Sequence, residues 1–240
     1  MVKVLIKSAA LAVILTIVLF AAVAAQSSND IWNDEWWGDR GPNVTYYWDD
    51  WASLIGDNPY DVEPDLVLPP GGGAGLAVVT VEDPGAALIE GPLPGFGSKT
   101  NFWDLGPGGA MHINVDVNHN GMVFWVQVTY HQGIAVEPVV DVPGASRMLL
   151  LPGKYELRQV IEDTSLPGDS EPQRWVTYMS LWRLDPGVTF GGINITADGD
   201  MGAIIDGVII DARILPEPTA VVLGVLGNCA LIGWLRRRRH

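Results

Sequence analysis

Hydrophobic positions along this 240-residue chain form two long apolar runs, one at each end, and between them a series of short runs that alternate with polar residues. Side chains alternate across a strand, so a period of two marks β-structure. Eight strands are predicted, at 76–82, 111–117, 122–130, 146–151, 155–162, 174–184, 192–197 and 207–215. Pro-Gly pairs, which favour turns, begin at Pro84, Pro94, Pro143, Pro152, Pro167 and Pro186. No stretch between the two ends holds apolar residues at helical spacing with caps. The pattern predicts an all-β fold, an antiparallel jelly-roll-like β-sandwich.

One pair of runs is regular enough to assign faces. Met111, Ile113, Val115 and Val117 alternate with His112, Asn114 and Asp116; Met122, Phe124, Val126, Val128 and Tyr130 alternate with Val123, Trp125, Gln127 and Thr129. Asn120-Gly121 between them suits a type I′ turn, whose central residues need positive φ. The expectation is a hairpin with the first set of each arm buried. Its outer face would set Asp116 opposite Trp125, Asn114 opposite Gln127 and His112 opposite Thr129. An indole beside amide, carboxylate and imidazole groups is glycan-binding chemistry, with the ring stacking on a sugar and the polar groups bonding to hydroxyls. The competing reading is a solvated sheet face with one exposed Trp.

The two ends read as sorting devices. Met1 to Ala25 has Lys3 and Lys7, an apolar run from Ala9 to Val23 and small residues before Gln26. That is the layout of a secretory signal peptide and its helix, with cleavage between Ala25 and Gln26 or after Ala24; the competing reading is an uncleaved membrane anchor. At the other end, residues 220–235 carry no charge and are followed by Arg236, Arg237, Arg238, Arg239 and His240. Sixteen residues rise about 24 Å as a helix, slightly short of a ~30 Å hydrocarbon core, a gap that snorkelling arginines close. The four arginines should stay cytoplasmic, as the anchor of a single transmembrane helix that leaves everything before Pro216 outside. The competing reading is a buried C-terminal helix.

Pro216, Glu217, Pro218 and Thr219, the apolar span and the terminal arginines together resemble the PEP-CTERM sorting signal of Gram-negative bacteria. The resemblance covers about 25 residues. It implies recognition of the Pro-Glu-Pro motif by an exosortase, an inner-membrane protease-transpeptidase. It also implies delivery to the cell surface or an extracellular polysaccharide matrix. Asp206 to Ile214 resembles more weakly the closing strand of galactose-binding-like jelly rolls.

Setting the ends aside changes the charge balance. All 28 acids lie between Gln26 and Pro218 with eight of the bases, a formal net of −20. Such a field repels nucleic acid and excludes it as a partner. The lone cysteine, Cys229, lies in the apolar tail, so no disulfide is expected in the exported part. The expected organisation is a signal peptide at 1–25, a Trp- and acid-rich extension at 26–70, the sandwich at 71–215 and the sorting tail at 216–240. In the extension Trp32, Trp36, Trp37, Trp48 and Trp51 alternate with acids. They form either a sugar-stacking surface or an apolar face packed on the domain that follows.

Catalytic signatures are sparse. There is no Gly-x-Ser-x-Gly elbow and no His-Glu-x-x-His, and His112, His119 and His131 do not form one metal cluster along the predicted hairpin. The expectation is a non-catalytic module. The alternatives are a glycan-active enzyme using a carboxylate pair, which only distance can identify, and a purely structural adhesive module. Asp116 to Gly121 begins like a calcium loop, but the twelfth position is Gln127. Asp198 and Asp200, with Asp185 and Asp206 in reach, are the better candidates for a structural calcium site; no other cofactor is expected.

Overall fold

The structure, a computed structural model, describes residues 43–51, 54–55, 59–68, 77–82, 85–115, 122–151, 153–197 and 199–214. The signal peptide with Ala25 and Gln26, residues 216–219, the apolar tail, the four arginines, Asp116 and Asp198 all lie outside the described residues. Fifteen strands are present, and no helix occurs among the described residues. The first five are β1 (Asn43–Trp48), β2 (Leu54–Ile55), β3 (Tyr60–Val62), β4 (Leu66–Leu68) and β5 (Ala77–Glu82). Then come β6 (Ala87–Ile89), β7 (Phe102–Asp104), β8 (Ala110–Val115), β9 (Met122–Gln132) and β10 (Val139–Asp141). The last are β11 (Ala145–Met148), β12 (Glu156–Asp163), β13 (Arg174–Leu184), β14 (Ile193–Thr196) and β15 (Ile204–Ile214).

Every strand pairs antiparallel, in two sheets. The nine-stranded sheet runs β11-β13-β9-β15-β1-β4, with β12 also on β13 and the β6–β7 pair also on β15. The six-stranded sheet runs β10-β14-β8-β5-β3-β2. Three pairs nest: β1 with β15, β8 with β14 and β9 with β13. The chain thus leaves along β1, β8 and β9 and returns along β13, β14 and β15 as a folded-over ribbon.

The sheets meet over a single large core. Met111, Ile113 and Val115 from β8 face Phe124, Val126, Val128 and Tyr130 from β9, joined by Trp48, Trp103 and Ile210. The predicted inward residues are therefore inward, but the predicted hairpin does not form. β8 pairs with β5 and β14, whereas β9 pairs with β13 and β15. Both edges of β8 and of β9 are taken by other strands, so the local preference of Asn120-Gly121 does not decide the pairing. β8 and β9 thus lie in different sheets.

The outer faces differ. On the smaller sheet Thr80, His112 and Asn194 lie in one cross-strand row, beside Asn114 and Asp61, which is a polar, solvated surface. On the larger sheet the outer residues of β9 are buried as fully as the inner ones. Val123, Trp125 and Leu181 cluster with Met148 and Leu150 there. At the other end of the strands Phe102, Trp175 and Ile204 cluster with Phe96 and Ile161.

The acid-rich extension is partly absorbed into the fold. β1 pairs with β15 over six residues, and Trp48 and Trp51 are buried in the core. Residues 43–68 thus supply four strands, and the boundary expected between residues 70 and 71 falls between two strands of one sandwich. Asp65 organises this region, because one of its carboxylate oxygens accepts the backbone N–H groups of Asp49, Asp50 and Trp51 at 2.9–3.0 Å. That cradle holds Trp51 at a φ of 53°, where a non-glycine residue needs support.

Candidate functional site

Of the five residues expected to form one glycan-binding face, the four described ones do not come together. His112 and Asn114 lie on the outer face of the six-stranded sheet. There His112 Nδ1 meets Asn194 Oδ1 at 2.7 Å, and its ring rests on Gly192, where any Cβ would collide with it. Trp125 and Gln127 lie on the outer face of the nine-stranded sheet, 7% and 1% exposed. The pairings Asn114–Gln127 and His112–Thr129 are therefore corrected: a whole sandwich stands between their faces. Among the described residues no three of His, Cys, Asp and Glu gather as a metal site. Asp200 is exposed, Asp185 accepts the Ser146 hydroxyl, and Asp206 turns to Lys99 Nζ at 2.8 Å.

His131 has a structural setting. It is fully buried between Phe96 and Trp175, with ring centroids 4.9 Å from each, and its Nε2 lies 3.1 Å from Thr164 Oγ1. Burial holds its pKa below the ordinary 6.5, against a smaller opposing pull from the Gly95 backbone. The folded state then binds fewer protons than the unfolded chain across the interval just below 6.5. Stability contributed by neutral His131 is complete above that value and is lost as pH falls through the lower, folded value. Denaturant midpoints should fall as the pH is lowered below 6.5, and His131→Phe should flatten that slope. An unchanged slope in the variant would remove His131 from the account.

The functional candidate is an edge cleft of about 550 Å³ lined by Arg147, Lys154, Tyr155, Glu156 and Arg158. Its position follows from the register. Arg147 pairs with Trp182, and Arg158 with Tyr178, so both arginines project to the side on which those rings enter the core. β10 is an edge strand of the smaller sheet, and β11 and β12, at the margin of the larger one, are largely exposed. Charged residues therefore stand where apolar ones would be needed one strand further in.

The side chains are tightly organised. The Arg147 guanidinium lies 4.7 Å from the Trp182 ring centroid and that of Arg158 5.3 Å from Tyr178. Cation–π attraction of this kind contributes roughly 0.5–2 kcal/mol. Arg158 Nε donates to both Glu137 oxygens at 2.9 Å, and its Nη2 donates to Glu156 Oε2 at 2.9 Å. Arg147 Nη1 pairs with Glu156, and its Nη2 donates to the Val140 carbonyl at 3.0 Å, tying β11 to β10. The Tyr130 hydroxyl donates to Glu137 at 2.9 Å and that of Tyr178 to Glu156 at 3.3 Å.

Electrostatics fix the protonation states. Burial would raise the Glu156 carboxyl, but hydrogen bonding from Arg158 and the charges of Arg147 and Arg158 outweigh it and hold the group below the ordinary carboxylate range. Burial first, then Glu137, pushes the Tyr130 phenol up. Bonding to Glu137 foremost keeps Arg158 charged at all accessible pH. The cleft is thus a preformed array of ionised groups mounted on aromatic rings.

No family model matches the chain, and neither curated proteins nor solved structures provide a match. The cleft therefore has to be read from its own chemistry. Sequence reasoning passed over Glu137, Arg147, Glu156 and Arg158. The available signal was the bunching of Arg147, Lys154 and Arg158 within twelve residues of a base-poor chain.

Proposed function

We propose that this is an exported cell-surface or extracellular-matrix protein with a non-catalytic β-sandwich that binds extracellular polysaccharide at its edge cleft. The observation that carries the binding reading is the cleft itself, an open concavity of fixed polar groups backed by aromatic rings. The location rests on the two ends: the signal-peptide layout before Gln26, and the PEP-CTERM-like tail with Pro216, Glu217, Pro218 and Thr219. In this reading an exosortase-type protease-transpeptidase processes the chain after the tail has held it in the inner membrane of a Gram-negative cell. The nested pairing of β1, β8 and β9 with β15, β14 and β13 supports a jelly roll as the finer description of the sandwich.

Glu156 does not suit the general-acid role of a glycoside hydrolase. A hydrolase needs one carboxyl kept protonated as the general acid, whereas two arginines keep Glu156 ionised. Cell fractionation with sequencing of the mature termini tests the location. The expected product starts at Gln26, has lost the arginine tail and is recovered with the envelope or matrix. Full-length chain in the cytosol would sink the reading.

A further inference from the structure

We infer that the edge cleft takes an anionic saccharide, a uronate-bearing chain whose carboxylate sits against Lys154 and Arg158 while a sugar ring stacks on Tyr155. This rests on the polysaccharide-binding reading and names its ligand class. Three features of the cleft carry it.

The first is charge. Of the seven bases among the described residues, three line this cleft, in a chain with a formal net charge of −14. Elsewhere Lys99 is paired with Asp206, and Arg174 donates to Gln132. Within the cleft three cations face two carboxylates, Glu137 and Glu156, and both carboxylates are engaged by arginine. Lys154 has no carboxylate partner among the described residues, so one positive charge is left over. A neutral sugar gives no reason for that surplus, whereas a carboxylate balances it.

The second is donor geometry. Arg158 is held by Glu137 and Glu156 through Nε and Nη2. The guanidinium is planar, so holding its Nε–Nη2 edge on the two carboxylates above the Tyr178 ring fixes the orientation of the whole group. An arginine already oriented loses little side-chain entropy when it binds an anion. The third is the platform. Tyr155 lines the cleft and is 52% exposed, whereas the faces of Trp182 and Tyr178 are occupied by the arginines. It is therefore the ring left for a pyranose.

Retention of the purified protein on immobilised alginate, a polyuronate, and on immobilised dextran, a neutral glycan, tests the inference. Wild type should bind alginate, weaken as salt is raised, and show no comparable affinity for dextran. Lys154→Glu alters an exposed, unpaired side chain and should leave folding intact while weakening alginate binding at least about tenfold. Tyr155→Ala should weaken it as well, and Arg183→Glu, away from the cleft, should not. Equal retention on dextran, alginate binding unchanged by Lys154→Glu, or no alginate binding by the folded domain overturns the anionic ligand and leaves the surface location standing. Cytosolic recovery of the full chain overturns the location and leaves the alginate result untouched.

Discussion

Trp103→Ala should lower the stability of the sandwich by about 3–5 kcal/mol, while Trp103→Phe should cost far less. Trp103 is wholly buried on β7, packed edge-to-face against Trp51 at 6.3 Å and tilted against Tyr60 at 5.4 Å. It thereby links the larger sheet to β3 of the smaller one. Truncation opens a cavity between two rigid sheets that cannot collapse to fill it. Among the described residues the indole N–H has no hydrogen-bond partner, so phenylalanine removes a buried, unsatisfied donor as well as some volume. At ~2–4 °C per kcal/mol for a domain of this size, calorimetry should show Trp103→Ala melting about 6–20 °C below wild type. Similar melting temperatures for the Ala and Phe variants would show that the ring is not a keystone.

Lys99→Met should be comparably damaging, at about 3–5 kcal/mol, by a different route. Asp206 is the extra residue of a bulge in β15, between Ile205 opposite Tyr130 and Gly207 opposite Thr129. Its carboxylate is 2% exposed and meets Lys99 at 2.8 Å, while its carbonyl accepts the Trp51 indole N–H at 2.7 Å. Removing the lysine takes the counter-charge away from a buried carboxylate. Removing both charges, as Lys99→Met with Asp206→Leu, should recover most of the loss, because a buried pair gains little over apolar contact. Urea denaturation of the two single variants and the double variant measures this coupling. Additive effects would mean that the pair is not a unit.

Much of this architecture was legible from alternation alone, because a period of two says which residues face inward. All eight predicted strands are present, and 174–184 matches β13 end to end. Alternation does not say which strand lies alongside which. Ile113 and Val126 point to the same core whether their strands are hairpin partners or face each other across it, so the β8–β9 pairing was underdetermined. The outer face of β9 misled for a related reason. Polar residues such as Gln127 and Thr129 imply solvent, yet both are buried, with Thr129 satisfied by the Thr177 hydroxyl at 2.8 Å. Strands β1 to β4 were hidden because acidic and aromatic residues in Asn43–Leu68 break the apolar count while their rings enter the core. The cleft was invisible for want of register: Arg147 and Arg158 become neighbours only because both flank β13.

The pairing of Asn43 with Arg213 has a mechanical corollary. The chain comes in along β1 and goes out along β15 at one corner of the sandwich, on adjacent antiparallel strands. A tug between those two points would load the interstrand bonds in sequence, parting one rung before the next, like a zip and unlike a lap joint sheared along its whole length. A domain wired this way resists pulling through both leads poorly. It is better suited to hanging from a single lead, with tension passing around its core.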